Sequence, residues 1–191
     1  MRLTSLLLAA TLATTPVAVL AAPYVMDKSH AHVTFSVDHL GFSSVHGQFR
    51  TFDATIEFDP GNVEATRVDF TIDAASVDTF WEARDKHLRS KDFFDVENHP
   101  TISFTTTSVT PTGAESADVT GDLTIRGVTK PITLQAKLNK LGPSPFNPSK
   151  TIAGFSVQGE IDRTEFGVSY AAPAVSAIVP IRIELEMSPA E

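Results

Sequence analysis

The chain has 191 residues, a formal net charge of −8, 42% hydrophobic residues and no cysteine. The acidity excludes nucleic acid as an expected partner, because phosphate recognition needs a basic patch. It disfavours an anionic membrane surface for the same reason. The missing thiols exclude disulfides, thiolate metal sites, cysteine nucleophiles and a lipobox anchor.

The opening stretch MRLTSLLLAATLATTPVAVLAAPY combines Arg2, an apolar run from Leu3 and small residues at Val19, Ala21 and Ala22. This pattern reads as a secretory signal peptide over residues 1–21, with cleavage after Ala21 because Pro23 lies just beyond. The run is too short and interrupted for a good membrane span, so no stable membrane anchor is expected. The remainder, 22–191, reads as one periplasmic domain long enough to bury a sizeable core.

Along the chain, HVTFSVDH alternates Val33, Phe35 and Val37 against His32, Thr34, Ser36 and Asp38, the pattern of a half-buried antiparallel strand. A turn near Gly41 leads to VHGQFRTFDATIEFD, whose phase slips by one residue. A bulge at Arg50 and Thr51 restores a common inner face. After the Pro60–Gly61–Asn62 turn, RVDFTID points Val68, Phe70 and Ile72 inward.

The one helical segment follows over Thr79–Val96. Thr79 and Glu82 have capping-box spacing, and Glu82 with Lys86 makes a weak surface pair of about 0.2 to 0.5 kcal/mol. At 100° per residue, Trp81 and Leu88 share one stripe, with Arg84 and Asp85 at its margins and Phe80 beside it. Charges at a stripe edge are partly desolvated, so Arg84 and Asp85 each require a partner in the fold or in a ligand. Phe93 and Phe94 seat a second short turn, which Asn98, His99 and Pro100 end.

Five more alternating segments complete the chain: TISFTTTSV, DVTGDLTIRG, PITLQAKLN, IAGFSVQGEIDR and VSAIVPIRIELEM. The count is eight strands, with one helix between strands 3 and 4. Such an all-β chain can close as an eight-stranded antiparallel barrel, which removes edges and can hold one small ligand. A two-sheet sandwich is the rival. Gly47, Gly121 and Gly159 fall on the inward phase of three strands, where a missing side chain permits curvature or leaves internal volume.

Chemical motifs are scarce. His30, His32 and His87 form a weak metal trio with no carboxylate placed beside them, so no metal and no cofactor are expected. No G-x-S-x-G elbow, P-loop or dinucleotide fingerprint occurs. Arg163 ends its strand on the inward phase, where it can pair with Asp85 or with an anionic head group.

Four blocks, MDKSHAHVTFSVDHLGFSSVHGQF, SVDTFWEARDKHLRSKDFFDVENHPTISF, GDLTIRGVTKPITL and IDRTEFGVSY, resemble the YceI-like, polyisoprenoid-binding family of secreted bacterial proteins. The second block is the most specific. The resemblance implies a lipocalin-like barrel whose apolar interior holds an isoprenoid or similar amphiphile without transforming it. The expected carriers of the tail are Phe35, Phe49, Phe70, Phe104, Leu123 and Phe155, with Trp81 and Leu88 closing one end. The expected polar contacts are His30, Arg84, Asp85 and Arg163. Thirteen phenylalanines against two tyrosines suit a dry interior. Carriage, storage and sensing of lipid all fit, and a homodimer is allowed. A hydrolase or isomerase using the same cavity, and a structural or chaperone-like envelope protein, are the alternatives.

Overall fold

A computed structural model describes residues 21–190; the expected signal segment lies almost wholly outside the described residues. The strand segments are β1 (Ala22–Met26), β2 (His32–His39), β3 (Ser43–Phe49), β4 (Phe52–Phe58), β5 (Arg67–Asp73), β6 (Val77–Asp78), β7 (Thr101–Pro111), β8 (Ser116–Ile125), β9 (Val128–Pro143), β10 (Thr151–Asp162) and β11 (Ile178–Pro189). The helix α1 spans Glu82–Arg89.

The first six segments run end to end as three kinked staves, β1 continued by β2, β3 by β4, and β5 by β6. Every neighbour is antiparallel. The last strand closes the circle by pairing with both halves of the first stave: Ile181 faces Phe35 on β2, and Met187 faces Met26 on β1. The result is a closed eight-stranded antiparallel barrel. Closure leaves no unpaired edge along the staves, which settles the sandwich alternative.

The kinks have local causes. Asp27 accepts the amide of Ser29 and ends β1 in a short 3₁₀ turn over Lys28–His30. Asp73 does the same for Ala75, starting a second such turn at Ala74–Ser76. At Arg50 and Thr51, the place of the expected bulge, the strand breaks between β3 and β4, and the break is stitched to that second turn. The Arg50 amide donates to the Ser76 carbonyl, the Thr51 amide to the Ser76 hydroxyl, and the Asp73 amide to the Thr51 carbonyl. Two neighbouring staves therefore bend at one level.

Two expectations need correction. β1 lies in a stretch that carries no alternation signal, and it forms because β4 and β11 both offer it open edges. The helix is shorter than Thr79–Val96, and the capping box is absent. Trp81 is the extended residue before the first turn, with no side-chain cap. Thr79 instead turns its amide and hydroxyl to the Asp85 carboxylate.

One end of the barrel carries α1, the β2–β3 turn, the β8–β9 turn and the 163–177 loop. Arg126 ties three of these together by donating to the carbonyls of Lys91, Phe93 and Gly167 at 2.7, 3.2 and 2.9 Å. Phe166 and Val168 are buried beneath them, and a further core of Tyr24, Phe58 and Met187 sits towards the opposite end.

Candidate functional site

The interior encloses a cavity of about 580 Å³ running between the two ends, within the range of small-molecule sites. Phe35, Phe49, Phe70, Phe104, Leu123, Phe155 and Leu88 all line it. The six strand residues do so because the inward phase of each stave is apolar, so alternation turns their side chains to the axis, whereas Leu88 reaches the cavity from α1. Phe93 and Phe94 add two rings that periodicity did not assign, since they follow the helix in irregular turns. The sequence pattern marks them only as seating a short turn and gives no sign that they face the cavity.

The glycines are explained by neighbouring side chains. A Cβ on Gly47 would fall within the Phe35 ring, one on Gly121 against Phe104, and one on Gly159 against Leu134. Each glycine makes room for a larger inward side chain on the adjacent strand, so the internal volume they leave is partly taken up.

Trp81 does not line the cavity and is 62% exposed. The helical wheel fails for it because it precedes the first helical turn. Its indole instead receives the Arg84 guanidinium, 5.5 Å from the ring centroid.

Arg84 and Arg163 do line the cavity, at the helix end. Arg84 donates through Nε to the Thr79 hydroxyl and through Nη2 to the Thr79 carbonyl, each at 2.6 Å. Arg163 is buried and donates to four backbone carbonyls of its own loop, those of Ser176, Val168, Tyr170 and Val175. Burial pulls its pKa down, with Asp162 opposing that shift. Among the described residues neither guanidinium has a carboxylate within ion-pair distance.

Asp85 is corrected on two counts. It is only 3% exposed, yet it lies outside the cavity, and its partner is Thr79 rather than Arg163. The Thr79 hydroxyl, which donates to Asp85 and accepts from Arg84, links the two charges indirectly.

His30 is also corrected: it is exposed on the outer side, in the turn between β1 and β2, and lines no part of the cavity. It converges with Asp27 and Glu186, not with His32 and His87. The hydrogen bond that His30 donates to Asp27, and the charges of Asp27 and Glu186, raise the pKa of His30. The expectation that no carboxylate stands beside His30 is thereby corrected. His87 belongs to the cavity wall, with its ring edge-on to Phe93 and Tyr170 at 5.0 Å and Nε2 3.2 Å from Asp92. The opposite end of the cavity is lined by Thr66, Glu115 and Ser116.

The family model for the YceI-like domain matches residues 24–187. Protein YceI of Escherichia coli O157:H7 is 44% identical over 168 residues, 87% of this chain and 86% of that one. The crystal structure of the Campylobacter jejuni YceI protein superposes with a TM-score of 0.73 at 35% identity, covering 81% of this chain and 90% of the other. A polyisoprenoid binding domain from Saccharophagus degradans, implicated in plant cell wall breakdown, shares the fold with a TM-score of 0.67. It is 16% identical, and the match covers 88% of this chain and 99% of that domain. The chain belongs to the YceI-like family.

Proposed function

We propose that the protein binds one polyisoprenoid or similar amphiphile inside the barrel, outside the cytoplasm, and carries, stores or senses it without transforming it. The observation that carries this reading is a long apolar cavity with two guanidinium groups at one end and, among the described residues, no carboxylate paired to either. An apolar chain gains roughly 0.8 kcal/mol for each buried methylene, so a tail of modest length offsets its ordering. The polyisoprenoid-binding neighbour of the same fold supports the class of ligand.

Charge gives the ligand a direction. Arg84 and Arg163 stand at the helix end and Glu115 at the other, so an anionic head group belongs beside the arginines. Arg163 spends its donors on carbonyls and contributes mainly field, whereas Arg84 keeps its Nη1 group free of protein partners among its described bonds. Arg84 is therefore the head-group donor, the Phe35–Phe49–Phe94 cluster takes the first part of the chain, and Phe70, Phe104 and Phe155 take the rest.

A comparison of polyprenyl phosphate with the corresponding polyprenol tests this directly. The wild type should bind both and prefer the phosphate, and Arg84→Gln should erase the preference while still binding the alcohol. Equal affinity of the wild type for both would remove the arginines from the site. Failure to bind either would remove the lipid.

A further inference from the structure

Among the described residues, five of the large apolar side chains exposed at the helix end, where Val128 and Ile178 are exposed as well, lie in three segments. They are Leu40 and Phe42 in the β2–β3 turn, Phe80 and Trp81 at the approach to α1, and Tyr170 in the 163–177 loop. Phe42 is 88% exposed and Phe80 72%. Bonds link the three segments into one rim. The Leu40 amide donates to the Ala174 carbonyl, His39 bridges Val175, and the Tyr170 ring meets His87 on α1. Arg84, on the same helix, reaches over Trp81. His39, Arg84, His87, Tyr170 and Val175 also line the cavity, so the rim surrounds its mouth.

Backbone conformation shows that this exposure is held in place. Leu40 and Phe80 have φ of 60° and 65°, a left-handed conformation that bulky side chains rarely adopt. Asp78 fixes Phe80 by accepting its amide at 2.9 Å. Residues that gain no burial and sit in an unfavourable conformation are costly unless something else covers them.

We infer that this rim docks onto the surface of a lipid bilayer and places the mouth of the cavity against it. The inference rests on the proposed lipid-binding function, since a bilayer both supplies an amphiphile and accepts an irregular apolar rim without needing a matched shape. Its aromatic residues suit the interfacial zone, where an amphipathic ring is favoured. Charge points the same way. The chain is net acidic, yet Arg84, Lys86, Arg89 and Lys91 stand in and just after α1 against Glu82, Asp85 and Asp92, and Asp85 is buried on Thr79. Lys86 and Lys91 are exposed and have no ion pair among the described residues, which leaves them available to phosphate head groups. A ligand seated with its head group by Arg84 would then enter tail first and leave head first through a mouth already in contact with lipid.

Trp81 is the sole tryptophan and lies in the rim, so it reports docking without a label. Vesicles of phosphatidylethanolamine and phosphatidylglycerol should shift its emission to shorter wavelength, and brominated acyl chains should quench it. The double variant Phe42→Ser with Phe80→Gly should lose both signals while keeping the wild-type melting curve and its uptake of polyprenyl phosphate from detergent. An unchanged Trp81 spectrum with vesicles, alongside normal uptake from detergent, overturns the docking and leaves the binding function standing. A blue shift that grows with protein concentration in the absence of vesicles assigns the rim to a second copy of the chain and overturns it as well.

Discussion

Gly47 and Phe35 face each other across β2 and β3, and a Cβ at Gly47 would occupy the space of the Phe35 ring. The ring lines the cavity and packs against Phe49 with centroids 5.6 Å apart. Gly47→Ala should therefore destabilise the protein by about 1 to 3 kcal/mol, the usual cost of overpacking a core. Adding Phe35→Leu should recover most of that loss. Urea denaturation of the single and double variants checks the coupling, and strictly additive losses would contradict it.

Arg163 organises the loop that covers the helix end. Arg163→Met removes four donations to backbone carbonyls in a buried setting, and each unsatisfied buried group costs about 1 to 3 kcal/mol. The expected outcome is a loss of at least about 2 kcal/mol and faster proteolysis within residues 163–177. A variant with wild-type stability would show that these bonds are exchanged for water without loss.

Phe104→Arg places a charge in the apolar middle of the cavity, beside Leu123 on the adjacent strand. Among the described residues the one carboxylate lining the cavity is Glu115 at its far end, and an unpaired buried charge costs several kcal/mol. Lipid uptake should be abolished in any fraction that folds, as read by native mass spectrometry after incubation with polyprenyl phosphate. Normal uptake by a folded variant would remove Phe104 from the binding surface.

The Asp27–His30 pair sets a pH window. The Ser29 hydroxyl and then His30 hold the Asp27 carboxyl far below its ordinary 3.8, while Asp27 raises His30 above its ordinary 6.5. The Asp27 contribution is present above pH 3.8 and is lost as pH falls through its folded value. The His30 contribution is present below pH 6.5 and is lost as pH rises through its raised value. The pair is therefore fully formed in mildly acidic solution. Both groups are exposed, so the effect on melting is small and NMR titration is the suitable reading. Asp27→Asn should return the His30 midpoint towards 6.5, and an unmoved midpoint would exclude the pairing.

The architecture was legible because alternation is a local property. Val33, Phe35 and Val37, or Ile132, Leu134 and Ala136, declare their inward face without reference to the rest of the chain, and even the slip at Arg50 and Thr51 shows in the phase. The helix end was less legible. Trp81 obeys a helical wheel only if it is helical, and it is extended. Thr79 and Glu82 have capping spacing, but Thr79 lies two residues before Trp81, the residue that precedes the helix, and is claimed by Asp85. His30 sits in a 3₁₀ turn created by Asp27, so its side chain leaves the strand alternation altogether. The partners of Arg163 are backbone carbonyls of a loop, which no side-chain pattern announces. Arg126, whose donors staple three loops together at the same end, gave no sign of its role for the same reason.

The central claim is that the cavity holds an amphiphile with an apolar tail. Native mass spectrometry of the protein purified from its own cell envelope, followed by extraction and identification of the bound species, tests it most directly. The account predicts one prenyl lipid or comparable amphiphile per chain, displaced by added polyprenyl phosphate and lost in Phe104→Arg. A bare protein mass under gentle conditions that persists after incubation with polyprenyl lipids would contradict it.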